Sequence, residues 1–141
     1  MKLLSTALLL TLAVLGLSAC GAKNGSGASS APSSSTDAVY HALTPEEAKA
    51  RLDSGDALVL LDVRTQEEFD EGHIAGAICL PNETIGTDPP EVLPDKDAEI
   101  LVYCRSGRRS KEAAKKLVAM GYTQVYDFGG ILDWPYETVT E

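Results

Sequence analysis

Cys104 is followed by Arg105-Ser106-Gly107-Arg108-Arg109-Ser110 and preceded by the apolar run Glu99-Ile100-Leu101-Val102-Tyr103. The next segment, Ser110 to Met120, has helical periodicity. This order predicts a strand, a cysteine at its carboxyl tip, and a loop that feeds a helix. In open α/β sheets, ligands bind outside the carboxyl ends of the strands. The first amides of a helix lack internal partners and carry partial positive charge, so such a concavity stabilises a thiolate and a bound anion alike. A free cysteine with the ordinary pKa of ~8.5 is only about 3% thiolate at pH 7. Shifting that value by one unit takes ~1.4 kcal/mol, and a helix N-terminus supplies ~0.3–1 kcal/mol, up to ~2 in favourable geometry. With arginines added, nucleophilic chemistry at the cysteine is expected without a histidine base.

The elements that must position this cysteine can be read on either side of it. Val39–Leu43 is a short strand candidate. Thr44-Pro45-Glu46-Glu47 combines an N-cap, a proline at the first helical position and a capping box, opening a helix that runs to about Leu52 and stops near Gly55. Ala57–Leu61 is a continuous apolar run, the pattern of a parallel strand buried on both faces. Thr65-Gln66-Glu67-Glu68 is a second capping box, and Gly72 ends its helix. Gly76–Leu80 reads as a strand, and Pro89, Pro90 and Pro94 make the stretch 82–98 irregular. In the helix after Cys104, Ala113, Ala114, Leu117 and Val118 share one face, with Lys111, Lys115 and Lys116 opposite. Gln124–Phe128 is the last strand, and Gly129-Gly130 turns into a short helix near Trp134. The βαβ alternation predicts an α/β fold, a parallel sheet with helices on both faces.

The amino terminus has a different composition. Residues 1–19 hold one charge, Lys2, and the apolar run Leu3–Leu17, which reads as an export signal too short for a stable spanning helix. Leu17-Ser18-Ala19-Cys20 resembles the lipobox of bacterial lipoproteins. That resemblance implies cleavage before Cys20 and lipidation of its thiol and new amino terminus. A lipid chain contributes ~0.8 kcal/mol per buried CH₂, and several chains would make the attachment lasting. Residues 20–37 are nearly all Gly, Ser, Ala, Asn and Thr, a tether with too little apolar surface to fold. Residues 38–141 then form the folded domain. The expected location is extracytoplasmic: the outer leaflet of the cell membrane, or an outer membrane where one exists.

The whole chain carries a net charge of −9, and loss of Lys2 with residues 1–19 makes it −10. An acidic chain without a basic stripe argues against nucleic acid and against charge-driven docking on anionic lipid. Against that background Arg105, Arg108, Arg109 and Lys111 fall within seven positions, a focused site for a small anion. With Cys20 lipidated, Cys79 and Cys104 remain, so a disulfide framework is not indicated, and no pair is spaced as a metal site. Cys79 reads as a small buried hydrophobe, with a resolving thiol for Cys104 as the sharper alternative.

Taken in order, Leu61-Asp62-Val63-Arg64, Glu67-Glu68-Phe69, Gly72-His73-Ile74-Ala75-Gly76-Ala77-Ile78, the Cys104 loop, Gly121-Tyr122, Gly129-Gly130 and Trp134 are similar to a single-domain rhodanese. The resemblance covers almost the whole folded part. It implies a five-stranded parallel sheet and sulfurtransferase chemistry through a Cys104 persulfide; no cofactor and no metal are expected. Arg105, Ser106, Gly107, Arg108 and Arg109 would form the anion cradle, mostly through main-chain amides, with Asp62 and Arg64 supporting it. Arg105 matches an arginine of thiosulfate-using members, so a thiosulfate-like donor is favoured, with a thiol or cyanide as acceptor and a monomer as the working unit. One departure is Cys79, where Asn or His is more usual.

Three alternatives stay open. Cysteine phosphatases and some arsenate reductases use Cys, five residues, then Arg; here the sixth position after Cys104 is Ser110, which makes a smaller cradle. A tethered carrier that accepts sulfur without turnover is a non-enzymatic reading, as is an anion-binding docking module. Asp62 and Arg64 either orient the cysteine loop or pair with Glu68 and hold the next helix. His73 is expected in a turn hydrogen bond, His41 at the surface, and Trp134 in packing.

Overall fold

The computed structural model describes residues 39–140. The expected signal (1–19), the expected lipidation site Cys20 and the whole expected tether (20–37) lie outside the described residues. Within them, the helix starts follow from local chemistry. Thr44 caps α1 (Pro45–Asp53) and Thr65 caps α2 (Gln66–Glu71), each in a capping box with the glutamate three residues on. Each box satisfies two backbone amides that the first helical turn cannot.

Five strands, β1 (His41–Ala42), β2 (Leu58–Asp62), β3 (Ile78–Cys79), β4 (Glu99–Cys104) and β5 (Gln124–Gly130), form one sheet. The order is β1-β5-β4-β2-β3, and every pair is parallel. The fold is therefore the expected α/β class with a five-stranded parallel sheet. Both edge strands are two residues long, which limits the unpaired edge. The central strands β2 and β4 run in register from Leu58 opposite Glu99 to Asp62 opposite Tyr103.

Side chains alternate between the two faces, as strand geometry requires. Leu61, Ile100, Val102 and Cys104 pack on one face with Ala113, Ala114 and Leu117 of α3 (Arg108–Ala119). Leu60, Leu101 and Tyr103 pack on the other with Ala48 of α1, Phe128 and Trp134. Cys104 thus projects into the α3 side.

Three expectations need correction. The helix after the cysteine begins at Arg108, so Arg108 and Arg109 occupy its first turn and the loop is only Arg105-Ser106-Gly107. The last strand runs past Phe128 through Gly130, because Cys104, at the expected carboxyl tip of β4, pairs with Gly130 after an irregularity in register. Lys116 is not on a free polar face: its Nζ donates to the Asn82 carbonyl at 2.7 Å, tying α3 to the 3₁₀ turn Asn82–Thr84.

The two glycines at the end of β5 serve different needs. Gly129 has φ +90° with open space around it, so its requirement is conformational. Gly130 is extended, at φ −123°, yet a Cβ there would lie 2.3 Å from the Arg105 carbonyl oxygen and 2.6 Å from Ser106 Cα. The cysteine loop therefore rests directly on β5 backbone. Gly130→Ala is expected to displace the loop and to cost about 1–3 kcal/mol, the overpacking range, in a chemical denaturation series. An unchanged midpoint would show that the loop is not pressed against this strand.

Candidate active site

Cys104 ends β4 with 1% of its surface exposed. The Gly107 N–H donates to its Sγ at 3.0 Å. Gly107 sits at φ +92°, a left-handed conformation at the N-cap of α3 that glycine adopts without strain and that turns the chain from the loop into the helix. Ser110 Oγ lies 3.7 Å from the same sulfur. Its hydroxyl is within reach of the Gly107 carbonyl at 3.1 Å and the Gly129 carbonyl at 3.3 Å. Asp127, buried on β5, accepts from the Gly129 N–H at 3.1 Å and so holds the turn on which the serine leans. The sulfur is thus fixed by a strand end, a three-residue loop, a helix start and a glycine turn.

The cationic residues of the run separate in space. Arg105 and Ser106 are exposed beside the sulfur, and Arg105 makes no ion pair among the described residues. The Arg105 carbonyl accepts from the Leu132 N–H at 3.2 Å, which anchors the loop backbone while leaving the guanidinium outside. Arg108 points to solvent and pairs with Glu112 one turn along α3, an exposed pair of little energetic weight. Arg109 donates to both carboxylate oxygens of Glu68, at 2.6 and 2.8 Å. This bidentate pair is largely buried and joins α2 to the first turn of α3. The Arg109 guanidinium holds the Glu68 carboxyl down at about 2, and the carboxylate raises Arg109 in turn. Glu68 was legible as a capping residue, but its partner 41 residues away was not.

Asp62 and Arg64 form a second, deeper pair. Arg64 Nε and Nη2 donate to the Asp62 carboxylate at 3.0 and 2.6 Å, and Nη2 also donates to the Gly72 carbonyl at 2.7 Å. The side chains are 0% and 7% exposed. The pair links the end of β2 to the end of α2. Among the described residues it hydrogen-bonds neither to Glu68, which belongs to Arg109, nor to the cysteine loop. Tyr103, on the same face, receives the Ile74 N–H on its hydroxyl, and burial pushes its phenol up.

Cys79 is placed away from Cys104. It is in register with Asp62, which is in register with Tyr103, so two strand spacings, about 9.5 Å, separate it from β4. Register partners share a face, and Cys104 is one residue past Tyr103, on the opposite face. A disulfide needs Cα atoms within about 7 Å. The resolving-thiol reading therefore fails without rearrangement of the sheet. Cys79 is half-buried, and burial pushes its thiol up. His73 accepts its expected turn role, with Nδ1 2.9 Å from the Phe69 carbonyl. His41 is exposed and stacks on Tyr126. Trp134 packs against Phe128.

A cavity of about 580 Å³ lies between α1 and the carboxyl-terminal segment and is lined by Leu52, Ile74, Trp134 and Tyr136 among others. No residue of the cysteine loop lines it. Among the described residues no group of three or more His, Cys, Asp or Glu could hold a metal ion, and no helix is long and apolar enough to cross a membrane.

Comparison with known proteins bears on this site. The model of the rhodanese-like domain matches residues 44–136. The chain is 38% identical over 73 residues to the thiosulfate sulfurtransferase PspE of Escherichia coli, covering 52% of this chain and 70% of that protein. It is 37% identical over 97 residues to a sulfurtransferase of Allochromatium vinosum, covering 68% and 89%. A solved structure of a rhodanese with anions from E. coli superposes with a TM-score of 0.54 at 34% identity, covering 60% of this chain and 100% of that one.

The Glu68–Arg109 pair sets a pH dependence. An unfolded glutamate takes its proton near 4.5, the folded one only near 2. The pair's contribution to stability is complete above 4.5 and is lost as pH falls toward 2. Glu68→Gln is expected to lower stability at neutral pH and to flatten the stability profile between those two values, measured by denaturant unfolding. Parallel profiles for both proteins across that window would contradict the pairing.

Proposed function

Because the chain belongs to the rhodanese-like family, we propose that it transfers sulfane sulfur through a persulfide on Cys104. The observation that carries this reading is the Gly107 amide 3.0 Å from Sγ at the tip of a central parallel strand. The Gly107 N–H is placed to donate to negative charge that forms on Sγ during transfer. In the loading step the Cys104 thiolate attacks the outer sulfur of thiosulfate. The new Sγ–S bond forms as the donor's S–S bond breaks, and the electron pair departs with sulfite. An acceptor thiolate or cyanide then attacks the terminal sulfur of the persulfide, and the electron pair of the broken bond returns to Sγ. Charge is conserved in each step, and no oxidant is needed.

Thiosulfate as donor is supported by three features. Arg105 stands exposed beside the sulfur without an ion-pair partner among the described residues. Arg109 has two of its five N–H donors engaged by Glu68, leaving others for a sulfonate. The E. coli relative is itself a thiosulfate sulfurtransferase. In this reading Ser106 and Gly107 shape the cradle by their backbone, Arg108 contributes long-range charge, and Asp62–Arg64 supports the site by fixing the end of β2. The short loop works against phosphoryl chemistry, since only three residues separate Cys104 from the helix.

We also propose that residues 1–19 direct export and that Cys20 is lipidated, so that the domain stands off an extracytoplasmic membrane face on residues 20–37. The support is the sequence Leu17-Ser18-Ala19-Cys20 behind an apolar run.

Two experiments follow. Cys104→Ser is expected to abolish thiocyanate formation from thiosulfate and cyanide, while Cys79→Ser keeps it. Sulfur transfer by the Cys104→Ser protein, or aryl phosphate hydrolysis by the wild type at a useful rate, would overturn the assignment; loading without turnover on any acceptor would favour a carrier. In cells, labelled fatty acid is expected on the wild type and absent from Cys20→Ser, which should leave the membrane fraction. Equal labelling of both proteins would remove Cys20 as the anchor.

A further inference from the structure

Sulfur transfer at Cys104 leaves one buried hydroxyl beside the reacting atom without a role. Ser110 is 0% exposed, and its Oγ lies 3.7 Å from Sγ, 3.1 Å from the Gly107 carbonyl and 3.3 Å from the Gly129 carbonyl. A hydroxyl has one proton and two lone pairs. Two carbonyls, which only accept, compete for that proton at similar distances, so neither commands it. The third neighbour is a sulfur whose hydrogen-bonding role changes during transfer. As a thiol it donates, and as a thiolate it only accepts. Rotation about the Cβ–Oγ bond carries the serine proton from a carbonyl to the sulfur without moving any heavy atom.

We propose that Ser110 is a catalytic residue: its hydroxyl accepts from the Cys104 thiol and turns to donate to the thiolate, and this donation acts mainly when the persulfide is discharged. The proposal rests on the sulfur-transfer reading above. In the persulfide, charge sits on the terminal sulfur. When the acceptor attacks that atom, the S–S bond breaks and its electron pair moves onto Sγ, the atom that Ser110 faces. A hydroxyl turned from the Gly129 carbonyl onto Sγ then shares the developing charge with the Gly107 N–H. The serine keeps its proton throughout, so the step needs no base. Loading runs the other way and removes charge from Sγ, so loss of this donor does not slow it. Asp127 is indirectly involved, because it holds Gly129, the residue that gives the hydroxyl its alternative acceptor.

The test separates the two half-reactions. Persulfide is loaded with thiosulfate and discharged with sulfite, and both the rates and the equilibrium ratio of persulfide to free protein are followed by rapid quench and mass. For Ser110→Ala the discharge rate is expected to fall and the ratio at fixed thiosulfate and sulfite to rise, together by about tenfold or more, as for one lost hydrogen bond to a charged group. Ser110→Thr, which keeps the hydroxyl, is expected to restore both. Equal slowing of loading and discharge, an unchanged ratio, or a threonine variant that behaves like alanine would overturn the proposal. Should neither variant fold, the wild type decides: slower discharge to sulfite in D₂O than in H₂O supports it, and equal rates overturn it. A wild-type protein that takes no sulfur from thiosulfate would instead bring down the underlying reading, and the proposal with it, before any variant is compared.

Discussion

Everything about the site depends on one contact, the seating of the Arg105-Ser106-Gly107 backbone on the glycine pair that ends β5. No side chain fits at Gly130, because the Arg105 carbonyl occupies that space. The loop can therefore lie flat against the strand, with the Gly107 N–H on Sγ and its left-handed backbone leading into α3. The Leu132 amide on the Arg105 carbonyl closes the contact from the far side. Were β5 one side chain thicker here, the helix would start elsewhere and the sulfur would lose its donor. The chemistry is set by backbone packing, and the charged side chains act on a frame already in place.

Two ion pairs brace that frame at different depths. Asp62–Arg64 is almost fully enclosed and joins β2 to the Gly72 carbonyl at the end of α2. A buried pair of this kind adds little over an apolar substitute, but losing one partner is costly, so it specifies one arrangement of strand and helix. Glu68–Arg109 lies nearer the surface and connects α2 to the first turn of α3. It also offsets one charge of the arginine run after Cys104. Of the three arginines after Cys104, two have carboxylate partners and Arg105 has none among the described residues. The positive field near the sulfur is thus narrower than a count of arginines suggests, with the exposed Arg105 as its unpaired member among the described residues.

Much of this was readable one segment at a time. The capping boxes at Thr44 and Thr65, the apolar runs of β2 and β4, and Cys104 at a strand tip follow from patterns local in the chain. What could not be read depends on contacts between distant residues. Glu68 looks like a capping residue and is also the partner of Arg109; Lys116 looks solvated and instead holds the Asn82 carbonyl. Arg108 and Arg109 look like loop residues because nothing in the run marks Gly107 as the N-cap, a position it holds by its left-handed backbone rather than by a capping side chain. The separation of Cys79 from Cys104 likewise required strand order, since sequence spacing says nothing about the face on which a residue lands.

The central claim is that the sulfur cradled by Gly107 is the atom that receives sulfur. It is tested most directly by incubating the purified protein with thiosulfate, digesting it without reductant, and weighing the peptides. The account predicts the added mass of one sulfur on the peptide containing Cys104, removed on treatment with cyanide or sulfite, with the Cys79 peptide unchanged. A Cys104 peptide that stays unmodified while the protein still yields thiocyanate, or sulfur carried on Cys79 instead, would contradict it.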